Sequence, residues 1–425
     1  MGKQVMKNWL GRAGMACVLA GAGAFGASAQ DVVITNARIL DGAGGVIENG
    51  SLVVDDGVIT SVGAGSATLA GATVIDAEGR TVLPGFIDAH RHLGGGAPDF
   101  LDARAPAAMQ GWLDAGFTTM LDALAIGPSA DQYVELRRRI DAGEMAGPRL
   151  KLSGMVPLNQ TALPQGMDAA RADPARTPLA ERPPVATTPP EQARAMVAGY
   201  AAQGLDNIKV IVVASPAGTD LATLQAIADE AHMHGLRMIT HTTSVDDALV
   251  AAEAGTDYYA HTPHIGWVDE GDAIARIVAT GAPMVSTLGV FTPYYGVEGD
   301  GLFRDFGGFP YDGTLHSAGQ GAVNLRLLAE AGVIPCYGTD TSFSPRESLR
   351  HELRALGAVF SPADIVKMMT GNAAVCAAVD DVTGTLAVGK AGDIVMVEGD
   401  PLEDIDAVLD VALVLKGGAV VVDNR

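Results

Sequence analysis

Cysteine, aromatic side chains and positive charge are all scarce in this chain. It also lacks an apolar stretch long enough to cross a membrane in the ordinary way. Three cysteines among 425 residues exclude a small disulfide-stapled scaffold. Cys336 and Cys376 both sit in apolar sequence and are expected as buried free thiols, with their pairing left open. Lys and Arg number 28 against 50 Asp and Glu, a formal charge of −22. So acidic a protein repels nucleic acid and anionic membranes and favours solubility. Aromatics make up only 5% of the chain, yet seven of them fall between Gly289 and Tyr311.

What is present is enough apolar residues, 48%, to bury a large core. Residues 1–29 carry Lys3, Lys7 and Arg12, then an apolar Ala13–Phe25 run, then Ala27-Ser28-Ala29 before Gln30. That order reads as a bacterial Sec-type signal peptide cleaved after Ala29, giving a periplasmic or secreted product with no membrane segment in its mature form. Cleavage removes three cations and no acid, taking the charge from −22 to −25.

Between residues 81 and 380, short β-rich runs alternate with helical patterns, the mark of βα units around a parallel sheet. Eight strands are expected: Thr81–Asp88, Phe117–Leu121, Arg149–Met155, Asn207–Val213, Arg237–Thr242, Asp257–Ala260, Pro283–Leu288 and Val333–Gly338. Helix starts are marked by Thr188-Pro189-Pro190-Glu191, by Ser244 with Asp247, and by Ser361-Pro362 with Asp364. The expected fold is therefore α/β, a (β/α)8 TIM-like barrel. Residues 30–80 and 381–425 are instead rich in Val, Ile and Gly with turn signals, and should form a small β-sandwich domain from both termini. Two segments interrupt the repeat. Pro157–Pro190 holds eight prolines, and the aromatic Gly289–Tyr311 stretch follows the seventh strand. Loops after barrel strands surround the active site, which makes both candidate lids.

The first barrel strand ends in Asp88-Ala89-His90-Arg91-His92. Alternate side chains of a strand share a face, so His90 and His92 can grip one cation while Arg91 points outward as a spacer. The same pair could merely close a strand with polar groups. Other strand ends supply company, however: Lys209 on the fourth, His241 on the fifth, His261 on the sixth and Asp340 after the eighth. A lysine in the apolar Asn207–Val213 run is costly to bury unless paired or chemically altered. Lys151, earlier in the third strand, is a rival for its place. His264 follows His261 in a βα loop and could hold a substrate carbonyl or an oxyanion. His232 and His234 are expected in solvent, and His316 and His351 are unassigned.

On these residues, with PGFIDAHRH, GFTTMLDA, GTD and the closing VGKAGDIVMVEGDPL, the chain resembles the amidohydrolase superfamily, in its group with a carboxylated lysine bridging two metals. The resemblance implies that His90, His92 and Asp340 bind one metal, that His241 and His261 bind the other, and that Lys209, carboxylated by carbon dioxide, bridges both. It implies two divalent metal ions, zinc by preference, sharing a hydroxide that attacks an amide carbonyl, with Asp340 as base and then acid. The sequence His241-Thr242-Thr243-Ser244 lacks the glutamate usual in related deaminases, which favours a hydrolase. The aromatic segment suggests a small-molecule substrate with a bulky apolar group, an N-acyl amino acid or dipeptide, met by Tyr294 and Tyr295 with Arg304 as a carboxylate partner. A binuclear esterase, lactonase or phosphotriesterase, and a non-catalytic binding relative, are the alternatives. Homo-oligomerisation stays open.

Overall fold

The computed structural model describes residues 31–93, 100–125, 129–158, 188–212, 221–291, 317–341 and 343–425. The leader, Tyr294, Tyr295, Arg304, His316 and most of both interrupting segments lie outside them.

Two sheets organise the chain. The first joins residues from both ends in the order β16-β15-β14-β5-β1-β2-β3, with β4 beside β1. Its strands are β1 (Val32–Leu40), β2 (Val46–Asp55), β3 (Val58–Ala64), β4 (Thr73–Asp76), β5 (Thr81–Pro84), β14 (Ile394–Val397), β15 (Val411–Lys416) and β16 (Ala419–Asp423). Period-two alternation gives this sheet two apolar faces. Ile394, Met396, Leu413 and Leu415 pack with Ile34, Ile39 and Leu52 in the sheet's own core. Val395, Val397 and Val414 turn the other way, into the core shared with the barrel helices.

The second sheet is the barrel. Its strands β6 (Phe86–Arg91), β7 (Phe117–Ala125), β8 (Arg149–Met155), β9 (Asn207–Ile211), β10 (Arg237–His241), β11 (Tyr258–Tyr259), β12 (Met284–Val285) and β13 (Pro335–Cys336) lie side by side in chain order. Every pairing is parallel. The ring closes through backbone bonds, Ala89 N–H to Tyr337 O at 3.1 Å and Asp340 N–H to His90 O at 2.9 Å. All eight expected barrel strands are present.

The run from Thr81 to Asp88, expected as one strand, is divided at Gly85. Thr81–Pro84 pairs with β1 and β14, and Phe86 onward pairs with β7. A Cβ on Gly85 would meet the Thr118 side chain at 2.0 Å, so only glycine lets the backbone cross between sheets here. Among the caps, Ser244 and Asp247 form the expected reciprocal box, and the Ser361 hydroxyl accepts from Asp364 N–H. Thr188 does not cap. Its hydroxyl donates to Pro157 O at 2.5 Å, and the helix Pro190–Ala202 starts after Pro189 with no side-chain cap.

Ile87, Ala89, Leu121, Ile239, Tyr258, Ala260, Val285 and Cys336 fill the barrel interior, and Ala373, Ala374, Cys376 and Ala377 pack beneath them. The expectation of free thiols is corrected here. Cys336 on β13 and Cys376 on the helix Ala373–Ala377 form a disulfide, with Cα atoms 6.3 Å apart. Their separation of 40 residues hides this pairing, because only the return of that helix under the barrel brings them together.

Candidate metal centre

At the carboxyl end of the barrel, β6 delivers His90 and the first residue past it delivers His92. The β6–β7 register shifts between Asp88 and Arg91, where the strand leaves regular pairing. Both rings turn to Asp340. His92 Nε2 lies 2.9 Å and His90 Nε2 3.8 Å from Asp340 Oδ1, and ligand atoms of the three residues lie within 4.8 Å of one another. His261 Nε2 approaches the other carboxylate oxygen at 3.9 Å. The His241 and His261 rings are 4.3 Å apart, and His261 is 4.7 Å from His90. Lys209 Nζ is 3.3 Å from His90 Nε2. All six residues expected from the strand ends thus converge on one cleft.

Burial sets the protonation states. It drives the His90 and His261 imidazoles well below their ordinary value, and His241 down to about 3, in each case reinforced by neighbouring cations. Desolvation also lowers the Lys209 amine to about 7, against the opposing charges of Asp340 and Asp122. Burial alone would raise the Asp340 carboxyl, but His92, His90 and Lys209 outweigh it and hold it well below the usual carboxylate range. Neutral imidazoles beside an ionised carboxylate form a donor set suited to a divalent cation. Among the described residues, His90 Nδ1 and His92 Nδ1 are buried with no hydrogen-bond partner. The residues present fit a metal.

His264 is buried on the loop after β11, with its N–H bonded to Thr243 O at 2.9 Å. Asn324 Nδ2 donates to Pro263 O and Gly266 O at 2.9 Å each, bracing that loop. Lys151 is paired with Asp206 at 3.0 Å, which occupies it away from the cleft. His232 and His234 are surface groups that meet Asp257 and Glu230. His351 is fully buried, with its ring 5.3 Å from Phe343.

Several supporting residues escaped the reading of the sequence. Thr287 Oγ1 meets His261 Nδ1 at 2.7 Å and orients that ring. Asp122 Oδ1 accepts from Leu93 N–H at 3.0 Å, holding the turn after His92. Asp88 is wholly buried and accepts from the N–H groups of His90 and Thr339 and from the Thr339 hydroxyl. A carboxylate inside an apolar strand was the available signal for Asp88; nothing local marks Thr287.

The family profile of the amidohydrolases matches residues 81–421. The chain belongs to the amidohydrolase family. A candidate prolidase of Bifidobacterium longum has a similar solved structure, with TM-score 0.74, 27% identity, and coverage of 92% of this chain and 95% of that one. Ochratoxinase of Aspergillus niger is 25% identical over 92% of this chain and 86% of its own. Dihydroorotase of Trichlorobacter lovleyi is 41% identical over 64 residues, only 15% of each protein. This amidohydrolase therefore spans a small part of the length of some curated relatives and most of the length of others.

Proposed function

We propose that this chain is a divalent-metal-dependent hydrolase that cleaves an amide-type C–N bond in a small molecule. The observation that carries the reading is the convergence of His90, His92 and Asp340 ligand atoms within 4.8 Å, beside the buried Lys209, whose amine is pushed down to about 7 by desolvation. His90, His92 and Asp340 would hold one cation, and His241 with His261 would hold a second. Lys209 would serve both as its carbamate: the neutral amine forms an N–C bond to carbon dioxide and releases one proton to solvent, leaving one negative charge shared by two oxygens. Bound zinc supplies an acidified water and polarises the carbonyl. Asp340 takes the proton of the attacking water and passes it to the departing nitrogen, so that the amine leaves neutral. His264 steadies the carbonyl oxygen from the neighbouring loop.

An N-acyl amino acid or dipeptide with a bulky apolar group is the substrate class. The aromatic segment with Tyr294, Tyr295 and Arg304 supports this, as does likeness to proteins named as a prolidase and an ochratoxinase. Export to an oxidising compartment is supported by the signal-like residues 1–29 and by the buried disulfide. No helix among the described residues is long and apolar enough to cross a membrane. The deciding experiment is hydrolysis of a panel of N-acyl amino acids, dipeptides, lactones and phosphotriesters before and after chelation. Amide turnover that chelation abolishes and zinc restores is expected. Turnover unaffected by chelation, or confined to lactones or phosphotriesters, overturns the proposal.

A further inference from the structure

Arg91 sits between the two site histidines in sequence but turns its side chain away from them. It is 8% exposed, and its guanidinium lies 4.9 Å from the centre of the Trp112 ring. Nη1 reaches Thr339 Oγ1 at 3.3 Å, Thr341 Oγ1 at 3.1 Å and Ser348 Oγ at 3.2 Å, while Nη2 donates to Phe343 O at 2.9 Å. Thr341 and Ser348 also meet each other at 2.7 Å. The cation therefore grips the residues on both sides of Asp340 and ties them to the helix Pro345–Leu356. Asp88 supplies the counter-charge and binds Thr339 from the other side.

Asp340 itself needs such support. Its φ is +48°, a left-handed conformation that is strained for a non-glycine residue and persists only where its surroundings over-determine it. Its N–H is committed to His90 O. We infer that Arg91 is a positioning residue that, through Thr339 and Thr341, fixes the backbone of Asp340 and thereby aims its carboxylate at the cleft. The inference rests on the metal reading above. Lysine cannot replace this fork, because a single ammonium does not reach four acceptors spread from Thr339 to the helix residue Ser348.

The test uses the whole protein loaded with cobalt(II), whose visible spectrum reports ligand geometry without any substrate. Arg91→Lys and the milder Thr341→Val, which removes one hydroxyl without disturbing the buried charge, should both alter the visible bands relative to wild type while binding the same amount of metal. Turnover should follow the same order, with kcat lower by about 10- to 100-fold in Arg91→Lys, less in Thr341→Val, and KM within about twofold. In an Asp340→Asn background, Arg91→Lys should add little further loss of kcat. Unchanged cobalt spectra in both variants, or equal kcat losses with and without Asp340, overturn the inference even where the wild-type enzyme is active. A wild-type protein that takes up no cobalt overturns the metal reading and this inference together. Absent amide turnover with altered variant spectra overturns only the proposed reaction.

Discussion

Lys209 Nζ stands 3.3 Å from His90 Nε2, 119 positions away along the chain. An ammonium pressed against an imidazole in a buried cleft is unfavourable for both, since each is a cation when protonated and burial penalises either charge. Burial thereby favours the neutral amine, the form that the proposed carbamate requires.

Lys209→Ala should lose bound metal, as measured by elemental analysis after gel filtration. Wild-type protein supplied with isotopically labelled bicarbonate and zinc should show a carbamate carbon signal in NMR that the variant lacks. Full metal retention in Lys209→Ala would remove the bridging role.

Asp340→Asn keeps the size of the side chain but cannot accept a proton. Metal content should stay largely intact while kcat falls by at least about 100-fold, the usual worth of a positioned acid–base group. Near-wild-type turnover would take Asp340 out of the proton transfer.

Thr287 orients the His261 ring through one hydrogen bond of 2.7 Å. Thr287→Val should weaken metal affinity about 10-fold in chelator competition, and Thr287→Ser, which keeps the hydroxyl, should retain it. Equal affinity in both variants would show that the bond does not matter.

Glu352 gives the fold a pH dependence away from the cleft. It is buried, and burial raises its carboxyl from 4.5 to about 7 against the hydrogen bonds from the Gly289 and Leu288 N–H groups. The folded state therefore holds a proton that the unfolded state releases between these values. Stability from this group is full below about pH 4.5 and declines as pH rises to about 7. Asp88, raised by burial to about 6, acts with the same sign. Denaturant midpoints of Glu352→Gln should fall less over this pH range than those of wild type; a parallel decline would refute the contribution.

Joint replacement of Cys336→Ser and Cys376→Ser should destabilise the protein by about 3–4 kcal/mol if chain entropy governs a crosslink closing a loop of this length. The two serines should also free the helix Ala373–Ala377 from β13. Thiol titration of the denatured, unreduced wild type should find neither cysteine reactive. Two reactive thiols there would exclude the crosslink.

The strand ends were legible because alternation is a local rule: a polar residue closing an apolar run points where the pleat sends it. His90, His92, Lys209, His241, His261 and Asp340 could be gathered on one barrel rim from that rule and the eightfold repeat. Arg91 was read correctly as outward but not as buried. Its outward direction follows from the pleat, whereas its partners Phe343 and Ser348, just before and on the helix Pro345–Leu356, lie more than 250 residues later. Thr188 carried a capping pattern, yet its hydroxyl found the Pro157 carbonyl instead, a nearby acceptor that the pattern does not encode.

By itself, then, the sequence determined the barrel, the two-ended second sheet and the identity of the residues around the cleft, because all three follow from periodicities repeated along the chain. Only the tertiary structure decided the Cys336–Cys376 bond, the split of the first strand at Gly85, and the Asp88, Arg91 and Thr287 contacts behind the cleft. Those depend on which distant surfaces meet when the ring closes. That is a property of packing in three dimensions, on which local spacing is silent.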